Sequence, residues 1–119
     1  MINKSIFFMS IFYLLIGCSK KYDISPDILP LAYVDQNYKQ EIIISGGRVI
    51  GNSLKISNDF PNNINMKIEP INDDRPDIYN FLEITGTPKY KGNYTIKISA
   101  QFYGGGDKEV TKLYKFIIK

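Results

Sequence analysis

The chain has 119 residues, 44% of them hydrophobic and 23% charged, with a formal net charge of +3, one Cys, no His and no Trp. That length fits one domain, and the composition is that of a globular protein. Its lysines are scattered, adjacent only at Lys20 and Lys21, so no basic face or arm marks a nucleic-acid binder, and without His the usual general base and the commonest metal ligand are gone.

The first 18 residues read MINKSIFFMSIFYLLIGC. Lys4 precedes an apolar run from Ile6 to Ile16, broken only by Ser10. The run suits a secretory signal and falls short of the roughly 20 residues that a membrane-spanning helix needs. It ends Leu15-Ile16-Gly17-Cys18, which resembles the bacterial lipobox of an aliphatic residue, a variable one, Gly or Ala, then Cys. The resemblance implies that residues 1–17 are a signal peptide, that the Cys18 thiol is diacylglycerated, and that the new amine is acylated after cleavage. Cys18 is thus the expected lipidation site and the lipid bilayer an expected partner. Each buried CH₂ contributes about 0.8 kcal/mol, so two or three acyl chains hold firmly. In enterobacterial lipoproteins Asp after the Cys favours retention at the inner membrane. Ser19 therefore resembles an outer-membrane address facing the periplasm.

Residues 18–30 are expected to be the lipidated Cys and a short tether, because SKKYDISPDILP carries two Pro, two Lys and no clear period. Residues 31–119 read as short strands between turns. Tyr38 to Ser45 is rich in Ile and stops at Gly46-Gly47. Ser53 to Ser57, Ile64 to Ile68 and Asn80 to Thr85 alternate apolar and polar residues. Asn93 to Tyr103 alternates cleanly, with Tyr94, Ile96, Ile98, Ala100 and Phe102 on one face. Gly104-Gly105-Gly106-Asp107 turns the chain, and Lys108 to Lys119 returns with Tyr114, Phe116 and Ile118 inward. Six or seven such strands with no helical period predict an all-β, two-sheet sandwich.

Two stretches resemble the bacterial Ig-like domains related to the cadherin-like domain of dystroglycan. Leu29-Pro30, Tyr38, Ile42, Ile44, Ser45, Gly46 and Gly47 match that family's opening, and Ile84, Gly86, Thr87, Pro88, Gly92, Tyr94, Ile98 and Ala100 match its G-T-P signature. The resemblance covers about Leu29 to Lys119. It departs at the central strands, where NSLKISND lacks the family's aromatic residue and the usual L-P-x-G-L turn is reduced to Phe60-Pro61-Asn62-Asn63-Ile64. It implies a single Ig-like, cadherin-like β-sandwich of about seven strands, with Tyr94 as a tyrosine corner and Ile96 where antibody domains keep a Cys. It implies no active site, since such domains are modules in adhesins, surface enzymes and lipoproteins.

Asp73, Asp74 and Asp77 form the one acidic cluster and the candidate Ca²⁺ ligands. Calcium takes about six to eight oxygens, so three from one loop, with Arg75 among them, read better as a solvated turn. Gly104-Gly105-Gly106 lacks the Lys-Ser/Thr of a phosphate loop, and no cofactor is expected. With even-numbered residues of the last two strands inward, Lys97, Tyr103, Leu113, Lys115 and Ile117 should face outward, and Tyr103, Leu113 and Ile117 ringed by Lys are the expected partner-binding residues. The expectation is a protein-binding module at the cell envelope, not an enzyme, with an unidentified envelope or secreted protein as partner. An immunity or inhibitor lipoprotein and a structural envelope or secretion component are the alternatives.

Overall fold

Alternation of apolar and polar residues sets both the strands and the faces they bury. The computed structural model describes residues 21–119, so the expected signal peptide, Cys18 and Ser19 lie outside the described residues. Seven strands follow in order: β1 (Asp23–Ser25), β2 (Tyr38–Ser45), β3 (Lys55–Asn58), β4 (Met66–Pro70), β5 (Phe81–Gly86), β6 (Gly92–Gln101) and β7 (Glu109–Ile118). They form two antiparallel sheets, one ordered β1-β2-β5-β4 and the other β3-β6-β7. A four-strand sheet of that order facing a three-strand one is the arrangement of an Ig constant-type sandwich.

The inward positions are those the alternation singles out. Ile42, Ile44, Leu82 and Ile84 from one sheet meet Ile96, Ile98, Ala100, Tyr114, Phe116 and Ile118 from the other, all buried. Tyr38 closes this core with an edge-on contact to Phe116, ring centroids 5.1 Å apart. Ile96, where an antibody domain would place a Cys, is fully buried, so apolar packing occupies that position.

Two turns need their glycines. Gly46 ends β2 at φ 106° and Gly86 ends β5 at φ 140°, values that L side chains rarely adopt. At Gly86 a Cβ would also lie 2.1 Å from the Asn65 carbonyl oxygen, so β4 and β5 approach closely only because the side chain is absent.

The expected tether is partly folded. Asp23, Ile24 and Ser25 pair with Ser45, Ile44 and Ile43, and both Ile24 and Leu29 are buried in the core. The sandwich therefore starts at β1 rather than at residue 31. The two prolines and the lysines conceal a three-residue strand too short to show a period. Past β1 the chain crosses to the other sheet, where Ala32 makes a parallel bridge to Ile118. Ser53, expected to open a strand, instead ends a 3-10 turn, Gly51–Ser53, and a second such turn, Ile78–Asn80, precedes β5.

Register sorts the loops. The pairing of Ile43 with Phe81 and the bridge between Val49 and Phe102 gather loops 46–54, 71–80 and 102–108 at the end where β1 begins. Backbone bonds from Asp35 to Pro88 and from Lys89 to Ile64 gather loops 34–37, 59–65 and 87–91 at the opposite end.

Candidate functional site

The outer face of β7 carries the groove of interest. Odd-numbered residues of β7 turn away from the core, which leaves Leu113 64% exposed and Ile117 partly covered. Beside them runs the segment from Asp27 to Leu31, with Ile28 79% and Leu31 42% exposed. Between the two lies a groove of about 620 Å³, walled by Ile28, Leu31, Leu113 and Ile117, with Leu29, Asp27 and Lys115 also in its lining.

Side chains hold the groove open at a fixed width. The Tyr114 hydroxyl donates to the Pro26 carbonyl at 2.6 Å, and Lys112 pairs with Asp27. Lys112 holds the Asp27 carboxyl below the usual carboxylate range, first by hydrogen bonding and then by its charge. The Tyr114 hydroxyl is pushed up to about 12, mainly by burial, with the nearby Asp23 and Asp27 charges adding to it. Farther along, Ala32 donates to the Ile117 carbonyl at 3.0 Å and Lys119 donates to the Ala32 carbonyl at 2.9 Å, so the segment zips onto the end of β7.

Lysines surround the apolar centre. Lys97 lies directly across from Leu113, Thr95 from Lys115 and Asn93 from Ile117 in the β6–β7 ladder, and Lys97 and Lys115 are exposed. Lys55 of β3 is exposed on the same sheet, at a register position opposite Ser99.

The register splits the five expected partner-binding residues. Lys97, Leu113, Lys115 and Ile117 share one patch. Tyr103 does not join it, because it follows Lys97 by six residues, roughly 20 Å along an extended chain. Tyr103 instead sits beside the Gly-rich turn, under the Arg48 guanidinium at 5.1 Å from its ring. Alternation places the odd residues on one face, but a shared face is not a shared patch. The residues missed from the sequence are Ile28 and Leu31. Their signal was available, since Ile28-Leu29-Pro30-Leu31 is too apolar for a solvated tether.

The acidic loop is tied down locally. Asp73 accepts the Arg75 Nε at 2.9 Å and the Arg75 backbone N–H at 3.3 Å, while the guanidinium lies 4.5 Å from the Phe81 ring. Among the described residues no three His, Cys, Asp or Glu gather as a metal-holding group. Tyr94 takes the expected corner position, but its hydroxyl reaches the Tyr90 and Lys91 carbonyls only at 3.4 Å, and these contacts are exposed. Its ring contributes more, meeting Phe60 edge-on at 5.5 Å.

No family model matches the chain, and no curated protein matches it. Among solved structures it is similar to a mutant of the SrpA adhesin from Streptococcus sanguinis, with a TM-score of 0.50 and 14% identity over 85% of this chain and 61% of that one. It is also similar to domains 4 and 5 of the S-layer protein SbsC, with a TM-score of 0.47 and 14% identity over 82% of this chain and 44% of that one. The chain thus spans 61% and 44% of the lengths of these two. At 14% identity the adhesin likeness speaks to the fold alone, an all-β sandwich. The Ig-like assignment rests on strand order, with no match to the dystroglycan-type family.

Proposed function

We propose that this chain is the precursor of a lipid-anchored cell-envelope protein, cut before Cys18, whose Ig-like domain binds another protein and catalyses nothing. The observation that carries the binding role is the groove beside β7, where Ile28, Leu31 and Leu113 expose apolar surface next to Lys97 and Lys115. Clustered apolar surface rimmed by charge is the usual mark of a contact site. The anchor is supported by Leu15-Ile16-Gly17-Cys18 behind its apolar run. Ser19 supports an outer-membrane location facing the periplasm.

The anchor is tested by expressing the wild-type precursor and Cys18→Ser in a bacterium fed a palmitate analogue. Wild-type protein should be labelled, shortened and recovered in the detergent phase. Cys18→Ser should remain unlabelled and at precursor length. Label that persists in Cys18→Ser overturns the anchor.

A further inference from the structure

The β7 edge facing the groove carries backbone groups that nothing else among the described residues uses. In an antiparallel ladder each residue aims both its N–H and its C=O to the same side, and successive residues alternate sides. The Ile117 carbonyl and the Lys119 N–H bond to Ala32, away from β6. Two and four residues earlier in the same strand, Lys115 and Leu113 must aim their N–H and C=O the same way. Among the described residues nothing bonds them on that side.

The covering segment stands off at this point. Residues 32–34 pair with the end of β7, but at Pro26 the link is made by the tip of the Tyr114 side chain rather than by backbone. The segment is therefore farther from β7 than the ~4.8 Å between paired strands, and the groove fills the gap. An exposed strand edge is a template for another extended chain, and such edges are commonly guarded by Lys and Pro. Lys115 guards this one against a second copy, which would bring the same charge, and Lys97 adds to the positive face one strand inward. Asp27 is the one carboxylate in the groove lining, and Lys112 already takes it.

We propose that this edge is a strand-docking site for an extended, acidic segment of a partner protein. The inference rests on the reading of the domain as a protein-binding module and names its partner class. The segment adds to β7 where the groove borders it, from Leu113 to Lys115. Its backbone bonds Leu113 and Lys115, an Asp or Glu faces Lys115, and apolar side chains enter the groove beside Ile28 and Leu31. No covalent step is involved.

The test pans a random 12-residue peptide library against the mature lipidated protein in liposomes. Enriched peptides should alternate β-branched or apolar residues with Asp or Glu and contain no Pro at the core. Alternate backbone N-methylation of a selected peptide should weaken binding at least tenfold, which side-chain contact alone would not produce. Leu113→Pro removes an edge-facing N–H without touching the β6 ladder and should also lose at least tenfold with the melting temperature within a few degrees. If Leu113→Pro unfolds, Lys115→Glu decides instead, since it should shift the selection from acidic to basic peptides. Enriched peptides that tolerate both N-methylation and Leu113→Pro overturn the edge and leave the binding role standing elsewhere on the domain. Absence of any enriched peptide overturns both. Palmitate labelling of the same preparation reports the anchor independently of either result.

Discussion

The Asn80 side-chain oxygen accepts the backbone N–H of Val49 at 3.0 Å, so a residue at the entrance to β5 closes the turn that leaves β2. Its Nδ2 donates to the Ile44 and Gly47 carbonyls, both at 2.7 Å, which satisfies three backbone groups with one buried amide. Asn80→Ala strands those groups, and each buried unsatisfied group costs about 1–3 kcal/mol. The expected loss is about 3 kcal/mol, read as a melting temperature lower by roughly 10–20 °C. Asn80→Asp should do nearly as badly, because the two donated bonds disappear.

Tyr114 and Tyr94 should respond differently to the loss of a hydroxyl. Tyr114→Phe removes the 2.6 Å bond that holds Pro26 and should cost about 1–2 kcal/mol. Tyr94→Phe removes two exposed 3.4 Å contacts and should cost less than about 0.5 kcal/mol. Urea titration of the two variants checks the order, and equal losses would contradict it.

Gly86→Ala should be far worse than Gly104→Ala. Both glycines have positive φ, 140° and 76°, but only at Gly86 does backbone, the Asn65 carbonyl, block the new Cβ. Gly104 has nothing within 4 Å, so its loss is limited to the conformational penalty of about 1–2 kcal/mol. Gly86→Ala adds displacement of β4 and should exceed about 3 kcal/mol or prevent folding, as soluble yield and thermal melting will show.

From neutral pH to about pH 10 the buried tyrosines should leave stability unchanged, and it should fall between there and about pH 12. Burial pushes the Tyr38 and Tyr114 hydroxyls up to about 12 from the ordinary value of 10.0. A group whose folded value is raised binds its proton more tightly when folded. Its contribution is complete below the unfolded value and disappears as pH passes through the folded one. Tyr114→Phe should flatten the alkaline fall relative to wild type, which isolates the contribution of this tyrosine.

Six of the seven strands were legible, five because apolar residues recur at every second position and β2 because its run of Ile stops at Gly46-Gly47. The last hairpin is the clearest case, with Tyr94, Ile96 and Ile98 against Tyr114 and Phe116 at the positions the alternation predicts. β1 was hidden because three residues between lysines and a proline hold no period, and its pairing with Ser45 to Ile43 is long-range. The Leu113–Ile117 half of the candidate site was legible for the same reason as the strand that bears it. Ile28 and Leu31 could not be placed beside them, since nothing in residues 26–31 says that the chain crosses between sheets. Asn80 read as an ordinary strand opener, because a polar residue buried to bond three backbone groups looks no different in sequence from an exposed one.

The early start of β1 bears on how an anchored domain would stand. Only residues 19–22 separate Cys18 from Asp23, a span of at most about 17 Å when fully stretched. If Cys18 is acylated as proposed, so short a leash would keep the domain flush with the lipid, with loops 46–54, 71–80 and 102–108 turned toward the bilayer and loops 34–37, 59–65 and 87–91 away from it. The β7 edge would then open sideways, along the membrane plane. A ligand bound to the same membrane would find it by lateral diffusion in two dimensions, at a height set by the sandwich itself, whereas a soluble one must come down to the surface to reach it.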